Sequence, residues 1–468
     1  MSETTRRNFL KTTAAGAAAA VAANSFIARS AYAASNDETI KIALIGCGGR
    51  GSAACSQALS TAGPTKLIAM ADAFADQAKG SLENLKVEHP DKIDVKDDHI
   101  FVGFDAYQKA IDSGADLIII ATPPGFRPIH FEYAVKQGKN IFAEKPVATD
   151  AGGIRRFLAA AAESKKKGLK VGIGLQRHHQ ANYIETIKRI HDGALGDLRL
   201  LRVYWNGTSP WVRQRSQYVE QKLKNHLPPL TEMEYQMRNW YYFVWLCGDH
   251  IVEQHIHNLD VANWIMKGHP VEAQGVGGRQ VRTGIDNGEI YDHHMIEYTY
   301  ADGTKCLSEC RHQENTFQSV SEHAHGVKAL ADVGGGRFFE PGSKGKQIWR
   351  YEGHYKDPYQ VEHDDLAHAI RNDLPYNEAE RGAHSTFTAI MGRMCSYSGN
   401  VIRWDDAINA QVSVMPEKYA FDANPPSMPD KNGHYPIAMP GESGDEFVWQ
   451  RANKEIIAWA NNHKPGRG

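Results

Sequence analysis

Short apolar runs alternate with helix-like segments along the early part of the chain. The segments between the runs have the small-residue or amphipathic character of helices. Strands that alternate with helices at this spacing predict a doubly wound, parallel α/β sheet. The predicted strands are residues 40–45, 66–71, 116–121, 141–143 and 171–175, and the predicted helices are residues 52–59, 106–113, 150–167 and a segment through His130 and Val135.

The pattern changes from residue 198, where a strand-like alternation is followed by a segment rich in aromatic residues. An Asp302-Gly303 pair between two β-like runs predicts a hairpin. A Pro-rich stretch, residues 424–440, predicts an irregular arm ahead of a short terminal helix. These changes predict a second α/β domain followed by a tail. Its predicted elements are a strand at 198–205 and helices at 249–266, 361–372 and 385–398, and the expected boundaries are 34–175 for the first domain, 176–410 for the second and 411–468 for the tail.

Residues 1–33 have the pattern of a twin-arginine export signal. Arg6 and Arg7 precede an Ala-rich run, and Ala31-Tyr32-Ala33 has the small residues of a cleavage site. The Ala-rich run is too short and too weakly apolar to span a bilayer. We therefore expect a soluble mature protein that begins near Ala34, in the periplasm or another compartment outside the cytoplasm. Because the twin-arginine translocase carries folded proteins, this route suits a protein that acquires a cytoplasmic cofactor before export.

Charge and cysteine content exclude two further classes. Without the signal, which removes four basic residues and one acidic residue, the chain has 49 basic against 54 acidic residues. This slight acidic excess argues against a nucleic-acid partner. Six cysteines are too few for a disulfide scaffold in a chain of this length. We expect them to be buried small residues.

A glycine-rich stretch, residues 46–51, directly follows the first predicted strand with G-x-G-x-x-G spacing. Such glycines permit a tight turn, a close approach to a pyrophosphate and helix–strand packing. The second predicted strand ends at Asp72, about twenty residues on, where a carboxylate binds the ribose hydroxyls of NAD and repels the 2′-phosphate of NADP. The combination predicts an NAD-binding Rossmann domain, and Arg50 leaves NADP as the alternative. The expected cofactor contacts are Gly46, Gly48, Gly49, Arg50, Gly51, Asp72, Thr122, Pro123, His130, Glu144 and Lys145.

The fifth predicted strand ends in Glu144-Lys145-Pro146. Pro146 prevents the strand from continuing through the sheet. Because Lys145 then lies where strand ends meet a second domain, it is positioned to contact both cofactor and substrate. An ordinary surface lysine before a turn is the alternative.

Three further residues are candidate substrate contacts at the same edge of the sheet. Gln176 and Arg177 follow the last predicted strand, where ligands of open α/β sheets bind. Trp240 belongs to the aromatic segment 205–245, and aromatic rings stack on the apolar faces of sugars. The alternatives are solvent-facing polar residues for the first two, and a core or subunit contact for the tryptophan.

On a single α-helix, four titratable residues of the segment 249–260 share one face. They are His250, Glu253, His257 and Asp260, whereas His255 points the other way and is expected to be structural. Such a stripe is costly to bury unless a ligand or partner meets it. We interpret His257 as a general base oriented by Glu253, and His250 as a substrate contact. A zinc site shared by His and Glu side chains and a satisfied hydrogen-bond network are the alternatives, and we assign no metal ligand.

Together, the glycine loop, Asp72, Glu144-Lys145-Pro146 and residues 248–260 resemble the Gfo/Idh/MocA oxidoreductases, the family of glucose–fructose oxidoreductase and inositol dehydrogenase. The resemblance extends from about residue 40 to about residue 409. It implies a second α/β domain with a large, mostly antiparallel, open sheet that often forms a homo-oligomer interface. It also implies that Lys145 binds the reacting hydroxyl and that His257 removes its proton. Glu253 and Asn258 replace aspartates of inositol dehydrogenases, which argues against inositol as the substrate.

We therefore expect an exported NAD-dependent oxidoreductase that oxidises a secondary hydroxyl of a sugar or glycoside, at carbon 3 by family analogy. Because free NAD is scarce outside the cytoplasm, we expect a tightly held cofactor that a second substrate resets in a ping-pong cycle. A redox-neutral, NAD-dependent glycosidase or lyase and a non-catalytic sugar-binding protein are the alternatives. Lys145 argues against the first, and Lys145 together with His257 argues against the second.

Overall fold

The computed structural model describes residues 38–342, 345–354 and 356–462. The predicted export signal lies outside these residues. The described chain contains a parallel sheet, a larger and mostly antiparallel sheet, and a tail that packs on both. No helix in the described ranges has the length and apolar character needed to cross a membrane.

Six parallel strands and their crossover helices form the first domain. The strands are β1 (Ile40–Ile45), β2 (Thr65–Asp72), β3 (Ile100–Val102), β4 (Leu117–Ile120), β5 (Asn140–Ala143) and β6 (Val171–Ile173), and the helices are α1 (Gly49–Leu59), α2 (Ala75–Glu88), α3 (Ala106–Ile111), α4 (Arg127–Lys136) and α5 (Ala151–Lys166). The strand order is β3-β2-β1-β4-β5-β6, with every neighbouring pair parallel. The strand order reverses between β1 and β4, which is where ligands bind in such sheets.

The two central strands, β1 and β4, are almost entirely apolar because helices cover both faces of the sheet. All four side chains of β4 are buried, for example. This confirms the predicted doubly wound sheet. Helix α2 and strand β3 were not predicted, since α2 is mostly polar and β3 has only three residues.

The second domain is built around a nine-stranded sheet. Its strands are β7 (Leu198–Gly207), β8 (Glu272–Gly278), β9 (His293–Thr299), β10 (Lys305–His312), β11 (Ser319–Gly326), β12 (Leu330–Asp332), β13 (Arg337–Phe339), β14 (Gln347–Arg350) and β15 (Ile402–Arg403). The order is β14-β13-β12-β11-β7-β10-β9-β8-β15, and β7 and β10 are the one parallel pair in it. The mostly antiparallel sheet that the resemblance implied is confirmed. The predicted hairpin is also present, at the turn between β9 and β10.

Ten helices follow β6 in the described part of the chain, and four of them, α10, α11, α13 and α14, pack closely on this sheet. The ten helices are α6 (Ala181–His191), α7 (Arg215–Lys224), α8 (Glu232–Arg238), α9 (Val244–Cys247), α10 (His250–Glu253), α11 (Ile256–Met266), α12 (Pro358–Arg371), α13 (Ala379–Ser398), α14 (Trp404–Ile408) and α15 (Val448–Asn462). Buried side chains alternate with partly exposed ones along β10, as expected for a sheet covered on one face. Helix α12 returns to the first domain and packs on α1, which brings second-domain side chains next to the glycine loop.

The single helix predicted for residues 249–266 is instead two helices, α10 and α11. Gln254 and His255 separate them, and Asp249 begins α10 with a positive φ of 80° and a side chain that accepts from the His250 amide. The prediction of one continuous helix is therefore wrong. The shared face was predicted on that single helix and stays a prediction.

The cysteine prediction is confirmed, because all six cysteines are buried and free.

Candidate active site and cofactor cleft

The glycine loop between β1 and α1 is shaped by its neighbours. Gly46 has a φ of +91°, and a Cβ there would lie 2.5 Å from the Thr122 nitrogen. A Cβ on Gly51 would lie 1.9 Å from the Gly46 oxygen. At Gly48 and Gly49, in contrast, a Cβ would meet no atom within 4 Å. The first and last glycines are therefore required by packing, and the middle two leave an open cradle at the start of α1.

This cradle fits a pyrophosphate group. Helix α1 begins at Gly49 with no acidic residue in its first turn and no side chain bound to its first amides. The free N–H groups and the positive end of the helix dipole attract an anion. A cavity of about 580 Å³ extends from the cradle, which is within the usual range for small-molecule sites.

Asp72 closes one end of the cradle. Its carboxylate accepts hydrogen bonds from the amides of Cys47, at 2.7 Å, and Phe74, at 2.9 Å. Burial raises the pKa of Asp72 from its usual value. These bonds fix the carboxylate at the rim of the cavity, where the sequence placed a ribose-binding acid.

Most of the predicted cofactor contacts meet in this cavity. Thr122 and His130 also bond to each other, with 3.1 Å between the hydroxyl and Nδ1, and burial lowers the pKa of His130 to about 3. Glu144 and Lys145 do not line the cavity. The predicted contacts that line it are Gly46, Gly48, Gly49, Arg50, Gly51, Asp72, Thr122, Pro123 and His130.

Arg50 is held by two buried carboxylates. Its Nε donates to Glu144 and its Nη2 lies 3.3 Å from Glu362 of α12. The Glu144 carboxylate has room in this position because residue 174 is a glycine. A Cβ at residue 174 would lie 2.7 Å from that carboxylate. The guanidinium is thus bound by two carboxylates while Arg50 also lines the cavity. Glu144 holds this arginine of the glycine loop from outside the cavity lining, and its direct contact with a cofactor stays a prediction.

Lys145 and Glu253 form a partly exposed ion pair where β5 meets α10. The lysine Nζ lies 3.0 Å from the Glu253 carboxylate and 2.5 Å from the Glu253 carbonyl oxygen. Both side chains are 13% exposed. We expected Glu253 to orient His257, but its carboxylate binds Lys145 instead. The break between α10 and α11 explains the difference, because it separates Glu253 from the turn that carries His257.

His257 lies at the start of α11 and stacks on Trp205 of β7, with ring centroids 5.8 Å apart. Its Nδ1 is buried without a hydrogen-bond partner among the described residues. Burial, reinforced by the charge of Lys145, lowers the pKa of His257 well below its usual value. The ring is therefore neutral at neutral pH and able to accept a proton.

Two of the predicted substrate contacts, Gln176 and Arg177, are bound to other side chains of the protein. The amide of Gln176 donates to Tyr359 at 3.2 Å, while Arg177 is buried and pairs with Glu322. We predicted Trp240 as a substrate contact; it lines the same cavity as the glycine loop, and the substrate contact stays a prediction.

His250 and His255 lie in the core. His250 is fully buried and its Nδ1 lies 2.9 Å from Asp249, so it cannot reach a substrate in this structure. His255 bonds to Ser308 at 2.7 Å, which agrees with the structural role expected for it. The fourth residue of the predicted stripe, Asp260, pairs with His178.

Within the described ranges, one group of side chains has metal-ligand spacing: Asp249, His250 and His294, whose ligand atoms lie within 4.8 Å of one another. Asp249 already accepts hydrogen bonds from the Tyr291 amide and the Tyr397 hydroxyl, at 3.0 and 2.6 Å. Asp249 is thus the centre of a buried hydrogen-bond network, and the Nε2 atoms of His250 and His294 have no hydrogen-bond partner among the described residues. The group does not include Glu253 or His257, the residues of the zinc site considered from the sequence.

Several cavity residues were not identified from the sequence. They come from the second domain and lie opposite the glycine loop, and the aromatic segment was the one sequence signal for them. They are Trp211, Arg213, Tyr218, Met237 and Arg238.

Comparison with protein families agrees with this geometry. Residues 40–173 match the Gfo/Idh/MocA family model, described as an oxidoreductase family with an NAD-binding Rossmann fold. Residues 3–23 match the twin-arginine translocation signal sequence.

Two curated relatives have related sequences. The chain is 22% identical over 271 residues to an inositol 2-dehydrogenase of Rhizobium meliloti (strain 1021), covering 58% of this chain and 68% of the relative. It is 29% identical over 170 residues to an inositol 2-dehydrogenase of Klebsiella pneumoniae (strain 342), covering 35% of this chain and 45% of the relative.

Two solved structures share the fold. An aldose–aldose oxidoreductase from Caulobacter crescentus, complexed with glycerol, aligns with a TM-score of 0.59 at 17% identity, over 78% of this chain and 100% of that one. A levoglucosan dehydrogenase in complex with NADH and levoglucosan aligns with a TM-score of 0.58 at 14% identity, over 78% and 99%.

Proposed function

We propose that this chain, whose residues 40–173 match the Gfo/Idh/MocA oxidoreductase family model, is an exported, NAD-dependent oxidoreductase acting on a secondary hydroxyl of a sugar or glycoside. The observation that carries the proposal is the fixed cation Lys145, whose charge acts on the neutral imidazole of His257. Lys145 directly follows Glu144, which pairs with Arg50 in the lining of a cleft that fits a dinucleotide. The relatives act on inositols and sugars by their names. This supports a polyhydroxylated substrate class.

NAD, when bound, would supply the hydride acceptor for oxidation of the carbinol to a ketone, and His257 would take the hydroxyl proton. Asp72 and the amides around the glycine cradle would hold the NAD. The commitment of Arg50 to Glu144 and Glu362 favours NAD over NADP.

Lys145 and His257 have different roles at the substrate hydroxyl: Lys145 stabilises negative charge on the oxygen, and His257 accepts the proton. The ammonium of Lys145 is held by Glu253, so it is already oriented when negative charge develops on the reacting oxygen. Fixed charge of this kind stabilises an alkoxide without reorganisation. His257 takes the proton, and its stacking on Trp205 fixes the plane of the ring.

We further propose that carbon 3 of a glycoside is the oxidised position and that a second sugar resets the enzyme. The twin-arginine signal supports the second part, since it indicates export of a folded protein to a place where free NAD is scarce. The second domain, with its partly exposed nine-stranded sheet, would supply the substrate site and a homo-oligomer interface. The partners would therefore be small sugars and further copies of this chain.

The test is a two-substrate kinetic screen of the purified, exported protein. Bound NAD(H) is first measured by denaturing the protein and assaying the supernatant. Pairs of aldoses, glycosides and cyclitols are then supplied without added cofactor, and the expected result is parallel double-reciprocal plots. Release of an aglycone without any acceptor would instead favour a redox-neutral glycosidase. Failure to bind NAD or NADP would overturn the proposal.

A further inference from the structure

Side chains of the second domain form part of the lining of the cofactor cavity. We call these side chains the roof: Trp211, Arg213, Tyr218, Met237, Arg238 and Trp240. The floor consists of the glycine loop and the ends of β1, β2 and β4. A dinucleotide in this cavity would therefore be enclosed on two sides, by two domains.

An ion pair joins the roof to the Rossmann domain. Both terminal nitrogens of Arg238 lie close to the carboxylate of Asp76 in α2, at 3.1 and 3.2 Å. Such a two-point guanidinium–carboxylate pair fixes orientation as well as distance. The guanidinium carbon also lies 4.0 Å from the ring centroid of Phe74, which follows β2 directly. Arg238 thus contacts the two residues that flank the start of α2, at the cavity edge next to Asp72.

The roof is itself anchored to the second domain and the tail. Arg238 lies 3.4 Å from Glu234, which also pairs with Lys222 of α7 at 2.7 Å. The guanidinium of Arg215 donates to Tyr435 in the tail at 2.6 Å. These contacts make the roof a continuation of a packed domain. Opening it would require breaking the contact between Arg238 and the α2 region.

We propose that the roof retains the cofactor, with the Arg238–Asp76 pair as its latch, so that NAD(H) stays bound between the two half-reactions. The inference rests on the proposed function, because it assumes a dinucleotide in the cavity. A sugar-reset cycle needs such retention, since each loss of cofactor outside the cytoplasm would end turnover. The Asp76 carboxylate is 57% exposed, so the pair is accessible to solvent. The latch is therefore a modest barrier to dissociation of NAD(H), in addition to the contacts that the aromatic rings of the roof would make with it.

The test measures the dissociation of NADH from the holoenzyme, followed by the fall in its enclosed fluorescence when excess NAD is added. Asp76→Asn removes the charge with little change in shape and is expected to raise the dissociation rate about fivefold, as for a partly exposed ion pair. Arg238→Met also removes the stack on Phe74 and is expected to raise it about twentyfold. Glu83→Gln, an acid-to-amide change on the exposed face of the same helix, is the control and should leave the rate unchanged.

The double variant gives a second criterion. Because both changes break the same contact, the double variant should dissociate NADH no faster than Arg238→Met alone. Retention of NADH by both single variants at the rate of the Glu83→Gln control would overturn the latch while leaving the proposed function intact. Absence of NADH binding by the unmodified protein would instead overturn the proposed function itself.

Discussion

The Lys145 ammonium binds the Glu253 carboxylate at 3.0 Å and the Glu253 carbonyl oxygen at 2.5 Å. The Glu253 carboxylate therefore binds Lys145 and makes no hydrogen bond to His257. His257 is left with an unpartnered Nδ1 and a neutral ring that is held by Trp205. The proposed electrostatic role of Lys145 and the proposed proton-accepting role of His257 thus belong to separate groups.

Removal of the fixed cation should slow turnover strongly without releasing the cofactor. Lys145→Met is expected to lower kcat by about 10²- to 10³-fold, the usual cost of losing an oriented group that stabilises an oxyanion. Lys145 does not line the cofactor cavity, so NAD binding measured by fluorescence titration should be unchanged. Lys136→Met, on the exposed face of α4, is the matched control. Normal turnover in Lys145→Met would contradict the proposed mechanism.

Glu253→Gln tests whether this acid positions the lysine. The amide can still accept from Lys145 but no longer carries a charge, so kcat should fall by about tenfold, as expected for the loss of one charged partner. Because Glu253 makes no hydrogen bond to His257, the pH at which activity is lost in acid should stay where it is in the unmodified enzyme. A shift of that pH would instead show that Glu253 acts through His257.

The depressed pKa of His257 predicts a broad pH optimum. The base must be neutral to act, and activity is lost as the pH falls through its pKa. Since burial and the Lys145 charge lower this pKa, kcat/KM should remain flat as the pH falls past about 6.5, the value for an unperturbed histidine. The acid limb should appear at lower pH. A limb at or above the unperturbed value would contradict the assignment of His257 as the base.

The Rossmann half could be predicted from the sequence because each signal in it is local. Gly46, Gly51 and Asp72 act within one βαβ unit, and turn geometry fixes their spacing. The partners of Lys145 could not be predicted, since they depend on where α10 ends. Asp249, which begins α10 with a positive φ, accepts hydrogen bonds from Tyr291 and Tyr397, which are distant in the chain and which no local periodicity records.

The roof was missed for a related reason. Arg238 contacts Asp76, and the two residues are separated by 162 positions in the chain. Aromatic residues in the segment indicated a ligand, a core or an interface equally well. Trp240 lines the cofactor cavity, and its contact with a substrate stays a prediction.

Protein stability should depend on His363, which is buried against Phe142 with a ring-centroid distance of 4.1 Å. Neither of its ring nitrogens has a hydrogen-bond partner among the described residues, and burial lowers its pKa to about 3. The unfolded chain binds a proton at about pH 6.5, so this residue makes stability fall as the pH drops from about 6.5 towards 3. His363→Leu should remove this decrease in the free energy of unfolding at acid pH.

The measurement is the apparent melting temperature at two pH values. His363→Leu should be more stable than the unmodified protein by about 1 kcal/mol at pH 7, because an unsatisfied ring is removed. The difference should grow by about 2 kcal/mol at pH 5. His368→Leu, at an exposed position of α12, is the control. A difference that does not increase in acid would contradict the account of His363.

The central claim is that a sugar hydroxyl carbon passes its hydride to NAD beside Lys145 and His257. The most direct test mixes NAD-loaded enzyme with a glycoside deuterated at carbon 3, stops the reaction after one turnover and examines the extracted cofactor by mass spectrometry. The account predicts NADH that carries one deuterium. When a second sugar with a carbonyl group is added, this deuterium should be transferred to the carbonyl carbon, which becomes an alcohol carbon. Reduced cofactor without deuterium would contradict carbon 3 as the oxidised position. Cofactor that stays fully oxidised with every sugar, glycoside and cyclitol tried would contradict the claim itself.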